Sequence, residues 1–360
     1  MIKVPVTIPG RVESYQIVIG DGLLQHLTDV LRLEQYSKIA VVTDETVAAE
    51  VLAQHPMLFP ADALRIVVPA GEDSKAIERV TFIWERLLAH GFDRKSCVVN
   101  VGGGMIGDLG GFAASTYMRG IDAINIPTTV LAQVDASIGG KTGINFGGIK
   151  NLIGTFAQPK MVIADIGTLK TLPDREFLSG FAEIIKHGLI HNDEYFRFVT
   201  LKKPREFTPQ ELMHIVEESC KIKADIVISD IHEQTGRRKL LNFGHTIGHA
   251  IEAYLLTAQT PILHGEAVAI GMIAEAHLSE LAGYLSAVDV QTIRSAIANA
   301  GLPTRIGHVS ADTLITNLSH DKKSEFGMVK WTLIRKIGEG VADCEVDEAN
   351  LRRALAAILT

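Results

Sequence analysis

Apolar, β-branched runs at Tyr15 to Ile19, Lys38 to Thr43, Leu64 to Val68, Cys97 to Val101 and Ala123 to Ile126 alternate with helix-like segments through the first half of the chain. That alternation predicts a mostly parallel sheet with helices on its faces. From about Asp174 the apolar positions recur with the period of helices, in Thr208 to Asp225, Thr246 to Leu256, Glu266 to Leu281 and Val288 to Ala300. An α/β first domain over residues 1–170 and an all-α second over 171–360 follow, with the linker near Ile166 to Pro173. Internal repeats and low-complexity tracts are absent from the sequence.

Length and charge sharpen this. A chain of 360 residues exceeds what one hydrophobic core usually holds, which supports two domains. The formal net charge of -7 argues against nucleic acid or an anionic membrane as partner, since both call for excess positive surface. Met1 to Gly10 has no basic region followed by an apolar run, and no apolar stretch reaches membrane-spanning length. The expected location is the cytoplasm. Cys97, Cys220 and Cys344 stand in no metal or redox spacing, which suits buried thiols in a reducing compartment.

The run Val98 to Val101 leads directly into Gly102, Gly103, Gly104, Met105, Ile106, Gly107 and Asp108, and then into the small-residue segment Gly110 to Ser115. Strand, glycine turn and helix is the order that lets a backbone approach a pyrophosphate and offer it the free amides of a helix N-terminus. The dinucleotide fingerprint usually opens the first βαβ unit, whereas here it follows about a hundred residues, so a diphosphate-binding domain of another topology is expected.

Asn242 to Glu252 puts His245 and His249 four apart, on one helix face, and Leu263-His264-Gly265-Glu266 leads into another helix. Imidazoles and carboxylates at this density suit zinc or a similar divalent ion, and Glu183 is a further candidate. Spacing alone nominates His245 and His249 as the first ligands. Arg119, Lys141, Lys150, Lys186, Lys223, Arg238, Lys322 and Lys323 lie in or beside Gly-rich or polar turns. In an acidic chain they point to a site for a multiply anionic small molecule carrying phosphate and carboxylate.

These residues carry a family signature. The sequence resembles the 3-dehydroquinate synthase family over essentially its whole length, in Gly102 to Gly120, Ile126 to Asn145, Lys150 to Pro159, Phe181 to Ile190, Leu240 to Glu252, His264 to Met272 and Asp321 to Lys323. The resemblance implies an NAD-binding α/β domain, a helical metal- and substrate-binding domain, and a homodimer. It assigns one divalent ion, Zn2+ or Co2+, to Glu183, His245 and His264, and moves His249 to the substrate side. It assigns NAD to Asp44, Glu72, Lys75, Gly103, Gly104 and Asp108, and further to Thr128, Thr129, Lys141, Lys150 and Thr171. Substrate contacts fall on Arg119, Asp135, Lys141, Asn151 and Lys186, and on Lys223, Arg238, Asn242, His249 and Lys322. Phe146-Gly147-Gly148-Ile149 departs from the His-Pro-Leu-Gly of many members, and Tyr254 to Leu263 lacks the usual Gly-Tyr.

The activity so implied is that of a phosphorus-oxygen lyase of the shikimate pathway, on the route to chorismate and aromatic amino acids. It converts 3-deoxy-D-arabino-heptulosonate 7-phosphate to 3-dehydroquinate and phosphate by transient oxidation at C5, phosphate elimination, re-reduction and intramolecular aldol closure. Other sugar phosphate cyclases and metal-dependent polyol dehydrogenases share the architecture. The run Gly104 to Asp108, with Lys141, Arg238 and Asn242, favours the dehydroquinate-forming member, whose substrate carboxylate calls for extra cations.

Overall fold

A computed structural model describes residues 1–7, 14–230, 235–257, 262–319, 324–325 and 328–360. The chain divides into two compact units, one of Met1–Pro173 with Pro209–Ala224, the other of Asp174–Thr208 with Asp225–Thr360.

The first unit is built on a seven-stranded sheet. Its strands are β1 (Ile2–Thr7), β2 (Ser14–Gly20), β3 (Ile39–Asp44), β4 (Leu64–Val68), β5 (Cys97–Gly102), β6 (Asp122–Pro127) and, after a separate antiparallel hairpin of β7 (Lys141–Phe146) and β8 (Ile149–Phe156), β9 (Met161–Asp165). The order is β1-β2-β9-β6-β5-β3-β4, parallel throughout except for the β1–β2 edge, which pairs Ile2 with Ile19 and Thr7 with Ser14. Val41, Val99, Val101, Ile126 and Ile163 pack into a core on one face; Ala40, Val42, Ile66, Val68 and Val98 pack on the other. Burial on both faces explains why the central strands read as unbroken apolar runs rather than alternating ones.

The helices of this unit's N-terminal stretch are α1 (Leu27–Val30), α2 (Glu45–Glu50), α3 (Ile77–Ala89) and α4 (Gly104–Thr116). Helix α3 presents Val80, Ile83 and Leu87 to the second core, and α4 adds Ile106, Leu109 and Ala113. A Cβ at Gly110 would stand 1.8 Å from Asn100 Oδ1 of β5 and one at Gly111 2.7 Å from Thr142 Cγ2 of β7, so glycine is what lets α4 lie this close to both strands.

In the second unit come α5 (Asp174–His191) and α6 (Asp193–Val199). The next helix, α7 (Pro209–Ile228), belongs to the first unit as far as Ala224. Then follow α8 (His245–Thr257), α9 (His264–Leu281), α10 (Ala287–Asn299), α11 (Ala311–Ser319) and α12 (Glu348–Ala356). Helix α9 is buried along most of its length and is packed by α5, α8, α10, α12 and the strand Trp331–Lys336. That strand pairs with Glu339–Cys344 in an antiparallel hairpin, a β element that helical periodicity did not foreshadow. Trp331, Leu333 and Ile334 are buried, so it too lacks a simple alternation. Among the described residues no helix is long and apolar enough to cross a membrane.

Candidate functional site

In the first unit the chemistry gathers at the carboxyl ends of the parallel strands. Asp44 closes β3 and caps α2, its Oδ1 accepting from Val47 N–H at 2.9 Å. The turn from β5 into α4 brings Gly103 within close reach of Thr129 and Gly104 of Ala136, where added Cβ atoms would stand 3.1 and 3.2 Å from the nearest side-chain carbon. At Gly107 a Cβ would meet nothing within 4 Å. None of Gly102, Gly103, Gly104 and Gly107 has positive φ, so turn geometry does not require them; close approach explains Gly102, Gly103 and Gly104, whereas Gly107 faces open space. Thr128, following β6, donates its N–H to Gly102 O at 3.0 Å, and Thr129 Oγ1 accepts from Ala132 N–H.

Lys75, almost wholly buried, donates from Nζ to Asp108 Oδ2 at 2.5 Å and to Asn151 Oδ1, with Glu72 Oε1 at 4.0 Å. Burial raises the Asp108 carboxyl above its ordinary range, against the pull of the Lys75 ammonium. Asn151, assigned to substrate by resemblance, thus sits with residues assigned to the cofactor, in a left-handed conformation at φ 53°. Asn145 is the residue the sequence did not single out. Its amide donates to Glu72 Oε1 at 3.0 Å and accepts from Asn151 N–H at 2.9 Å, fastening the β7–β8 hairpin to the Glu72–Lys75 segment.

Elsewhere in this unit Lys223 Nζ donates to Asp135 Oδ1 at 2.6 Å and to its carbonyl at 2.5 Å. Sequence order puts Lys223 in the helical half, yet α7 up to Ala224 belongs with the sheet, and so does this pair. Met118, Arg119 and Gly120 are all left-handed, at φ 50°, 67° and 112°, and Arg119 is exposed on that strained turn. Lys141 opens β7, Lys150 lies on β8, and both are exposed; Thr171 Oγ1 donates to Thr168 O at 3.3 Å.

The second unit brings Glu183, His245 and His264 together from α5, α8 and α9, with one potential ligand atom of each within 4.8 Å of the others. Three close backbone approaches build this. A Cβ at Gly265 would stand 1.8 Å from Ser179 O of α5, one at Gly248 would lie 3.2 Å from Val268 Cα, and one at Gly271 only 2.0 Å from Gly244 O. Glycine at each point lets the helices meet nearly backbone to backbone, and the altered stretch at 254–263 has not moved His264 away from Glu183.

Glu183 is fully buried, and neither carboxylate oxygen accepts a hydrogen bond of regular geometry; it forms an ion pair with Lys186 on α5. Its Oε1 lies 3.5 Å from His245 Nε2 and 3.8 Å from His264 Nε2. These separations are long for hydrogen bonds but near those of donors sharing one ion, since two ligands ~2.0–2.1 Å from a tetrahedral centre stand roughly 3.3 Å apart. Each imidazole is turned by its other nitrogen: His245 Nδ1 lies 3.2 Å from Phe243 O, and His264 Nδ1 3.3 Å from Glu252 Oε2. Burial alone would depress His264, but the carboxylates of Glu252 and Glu183 outweigh it and raise its pKa above the imidazole norm. The negative charge of these carboxylates would also favour a divalent cation, which competes with the proton for the imidazole.

His249, Glu252 and His264 form an overlapping group. There His264 offers Nδ1, whereas its Nε2 points to Glu183. The pair favoured by spacing, His245 and His249, is edge-on with ring centroids 5.4 Å apart and shares no such group among the described residues. Glu252 is the orienting residue that sequence reading left without a role; its place one turn after His249 was the available signal. Arg238 is nearly buried, its N–H donating to Asp230 Oδ2 at 3.0 Å, and Asn242 ends the short helix Arg237–Asn242 before α8. Lys322 and Lys323 lie outside the described residues.

The family model described as 3-dehydroquinate synthase N-terminal matches residues 65–179, and the one described as 3-dehydroquinate synthase C-terminal matches 180–324. A 3-dehydroquinate synthase from Nitrobacter winogradskyi is 41% identical over 357 residues, covering 95% of this chain and 93% of that protein. The chain belongs to the 3-dehydroquinate synthase family. Family membership accords with the solved structures. 2-Deoxy-scyllo-inosose synthase, complexed with carbaglucose-6-phosphate, NAD+ and Co2+, aligns with a TM-score of 0.87 at 26% identity, over 98% of this chain and 99% of that one. 2-Epi-5-epi-valiolone synthase from Streptomyces hygroscopicus, with NAD+ and Zn2+ bound, aligns at 0.83 and 28% over 98% of each. The family's fold, a parallel-rich α/β domain followed by a helical one, is the fold found here.

Proposed function

We propose that the protein is a 3-dehydroquinate synthase, a lyase that converts 3-deoxy-D-arabino-heptulosonate 7-phosphate to 3-dehydroquinate and phosphate, with NAD and one divalent ion, Zn2+ or Co2+. The observation that carries this reading is the convergence of Glu183, His245 and His264 in a chain 41% identical to a named 3-dehydroquinate synthase. In this reading residues 1–170 bind the nucleotide and 171–360 the ion and substrate.

The residues present fit both groups. A fully buried carboxylate facing two oriented imidazoles is a preformed trio for a borderline cation, and the glycine turn offers helix N-terminal amides to a pyrophosphate. When bound, NAD would supply a reversible hydride acceptor and the ion a Lewis acid for the hydroxyl oxygen on the carbon being oxidised.

The chain's own residues do the rest. Lys75 holds Asp108 and Asn151 in place beside the nucleotide turn. Lys141, Arg238 and Lys322 hold the phosphate, and a clamped phosphate can take the neighbouring carbon-bound proton as it leaves. Arg119 and Lys223 receive the carboxylate or the far edge of the phosphate, with Asp135 ordered by its bond to Lys223 for a hydroxyl contact. Lys186 neutralises Glu183, and Asn242 and His249 relay protons to hydroxyls or water.

The protein acts in the cytoplasm as a homodimer, a state supported by exposed apolar side chains on the β7–β8 hairpin: Phe146, Ile149, Leu152, Ile153 and Phe156. The deciding experiment incubates the protein with the heptulosonate phosphate and catalytic NAD. Phosphate release without net NADH, abolished by a chelator and restored by Zn2+ or Co2+, is the expected result; net NADH accumulation would indicate a dehydrogenase instead.

A further inference from the structure

Helix α8 carries His245 as its first residue but cannot cap its own N-terminus. The preceding residue is Gly244, whose carbonyl accepts the first helical bond from Gly248 N–H at 3.0 Å. It stands at φ 80°, where a Cβ would meet Met272 Cγ at 2.5 Å and Val268 O at 2.9 Å. No serine, threonine or aspartate can occupy that position, so the usual side-chain cap is excluded.

The missing acceptor comes from α9. Glu275, fully buried, accepts from Gly244 N–H at 2.5 Å through Oε2 and from Ile247 N–H at 3.2 Å through Oε1. Those two donors are the pair that a capping box satisfies within one helix, here served by a single carboxylate from a neighbour. A buried negative charge is also stabilised by the positive end of the helix it caps. Glu275 follows His264 on α9 by about three turns, so one helix carries both a candidate ligand and the group that anchors the helix bearing another.

We propose that Glu275 is a positioning residue for the metal centre, fixing the height and rotation of His245 relative to His264 by clamping the α8 N-terminus. The inference rests on the metal reading of Glu183, His245 and His264. Its prediction concerns affinity and ligand geometry, not stability alone. Ser279 provides a matched control on the same helix: also fully buried, its Oγ donates to Glu275 O at 2.8 Å and accepts from Ile334 N–H at 3.1 Å, and neither of these bonds reaches the α8 N-terminus.

The test measures Zn2+ affinity by competition with a chromogenic chelator, and the visible spectrum of the Co2+-loaded protein, for the unaltered chain, Glu275→Gln and Ser279→Ala. Glu275→Gln should weaken Zn2+ binding ~10–100-fold and alter the Co2+ bands, while Ser279→Ala lowers the melting temperature yet leaves affinity and spectrum unchanged. Glu275→Asp, which keeps the charge, should recover part of the affinity; if Glu275→Gln does not fold, Glu275→Asp compared with Ser279→Ala decides. Unaltered affinity and bands in the Glu275 variants, or an equal loss in Ser279→Ala, would overturn the proposal. Failure of the unaltered chain to bind either ion would instead overturn the metal reading, and this inference with it.

Discussion

Lys186 stands three residues after Glu183 on α5, and the two form an ion pair in which the ammonium is 2% exposed and the carboxylate not at all. Breaking a buried pair by removing one partner costs about 3–5 kcal/mol, because the other charge stays behind. A divalent ion on Glu183 would supply part of the lost compensation. Lys186→Met should therefore destabilise the metal-free protein strongly and the Zn2+-loaded protein less. Melting curves with chelator and with Zn2+ measure this; equal destabilisation in both would show that Lys186 does not balance Glu183.

The thiols make a second expectation. Cys97 is buried in β5, and Cys220, whose Sγ donates to Gln133 O at 3.4 Å, is pushed up to about 12 by burial. Burial raises Cys97 as well, and Cys344, though partly exposed, is also raised. Since the thiolate is the reacting form, an aromatic disulfide reagent at mildly alkaline pH should modify Cys344 slowly and the other two only after unfolding. Rapid labelling of two thiols in the native protein would contradict this burial.

Lys141 opens β7 at an exposed position suited to meeting a ligand. If its ammonium clamps the departing phosphate, Lys141→Ala should lower turnover about 10²–10³-fold with little change in melting temperature. Near-normal phosphate release would remove it from the clamp.

What was legible in the sequence follows from whether the information is local. The central strands announced themselves because residues such as Val41, Val42, Val98 and Val99 are buried on both faces of one sheet. The β7–β8 hairpin did not, because β8 is exposed along nearly its whole length and its pairing depends on Gly143 and Gly154 meeting backbone to backbone. Helical spacing correctly put His245 and His249 on one face of α8, but the partner of His245 arrives from α5, three helices earlier, and no period within α8 encodes that. The resemblance supplied it. Lys223 shows the same limit, since its helix crosses from one compact unit into the other within a single apolar pattern.

Two glycines of α4 offer a test that separates packing from binding. Gly110→Ala would drive a methyl to within 1.8 Å of Asn100 Oδ1, while Asn100 itself is held through Nδ2 to Asn125 at 2.9 Å. An obstruction against so constrained a neighbour should cost about 1–3 kcal/mol whatever the ligand state. Gly107 differs: a methyl there meets no protein atom within 4 Å, and alanine within a helix is favoured over glycine by about 1 kcal/mol. If that open space exists to admit the nucleotide's pyrophosphate, Gly107→Ala should leave stability equal or higher while weakening NAD binding roughly tenfold or more. Calorimetric titration with NAD, read beside melting curves, measures both effects. Undiminished NAD affinity in Gly107→Ala would mean that the open side of α4 faces solvent, and that the nucleotide is cradled by Gly103 and Gly104 alone.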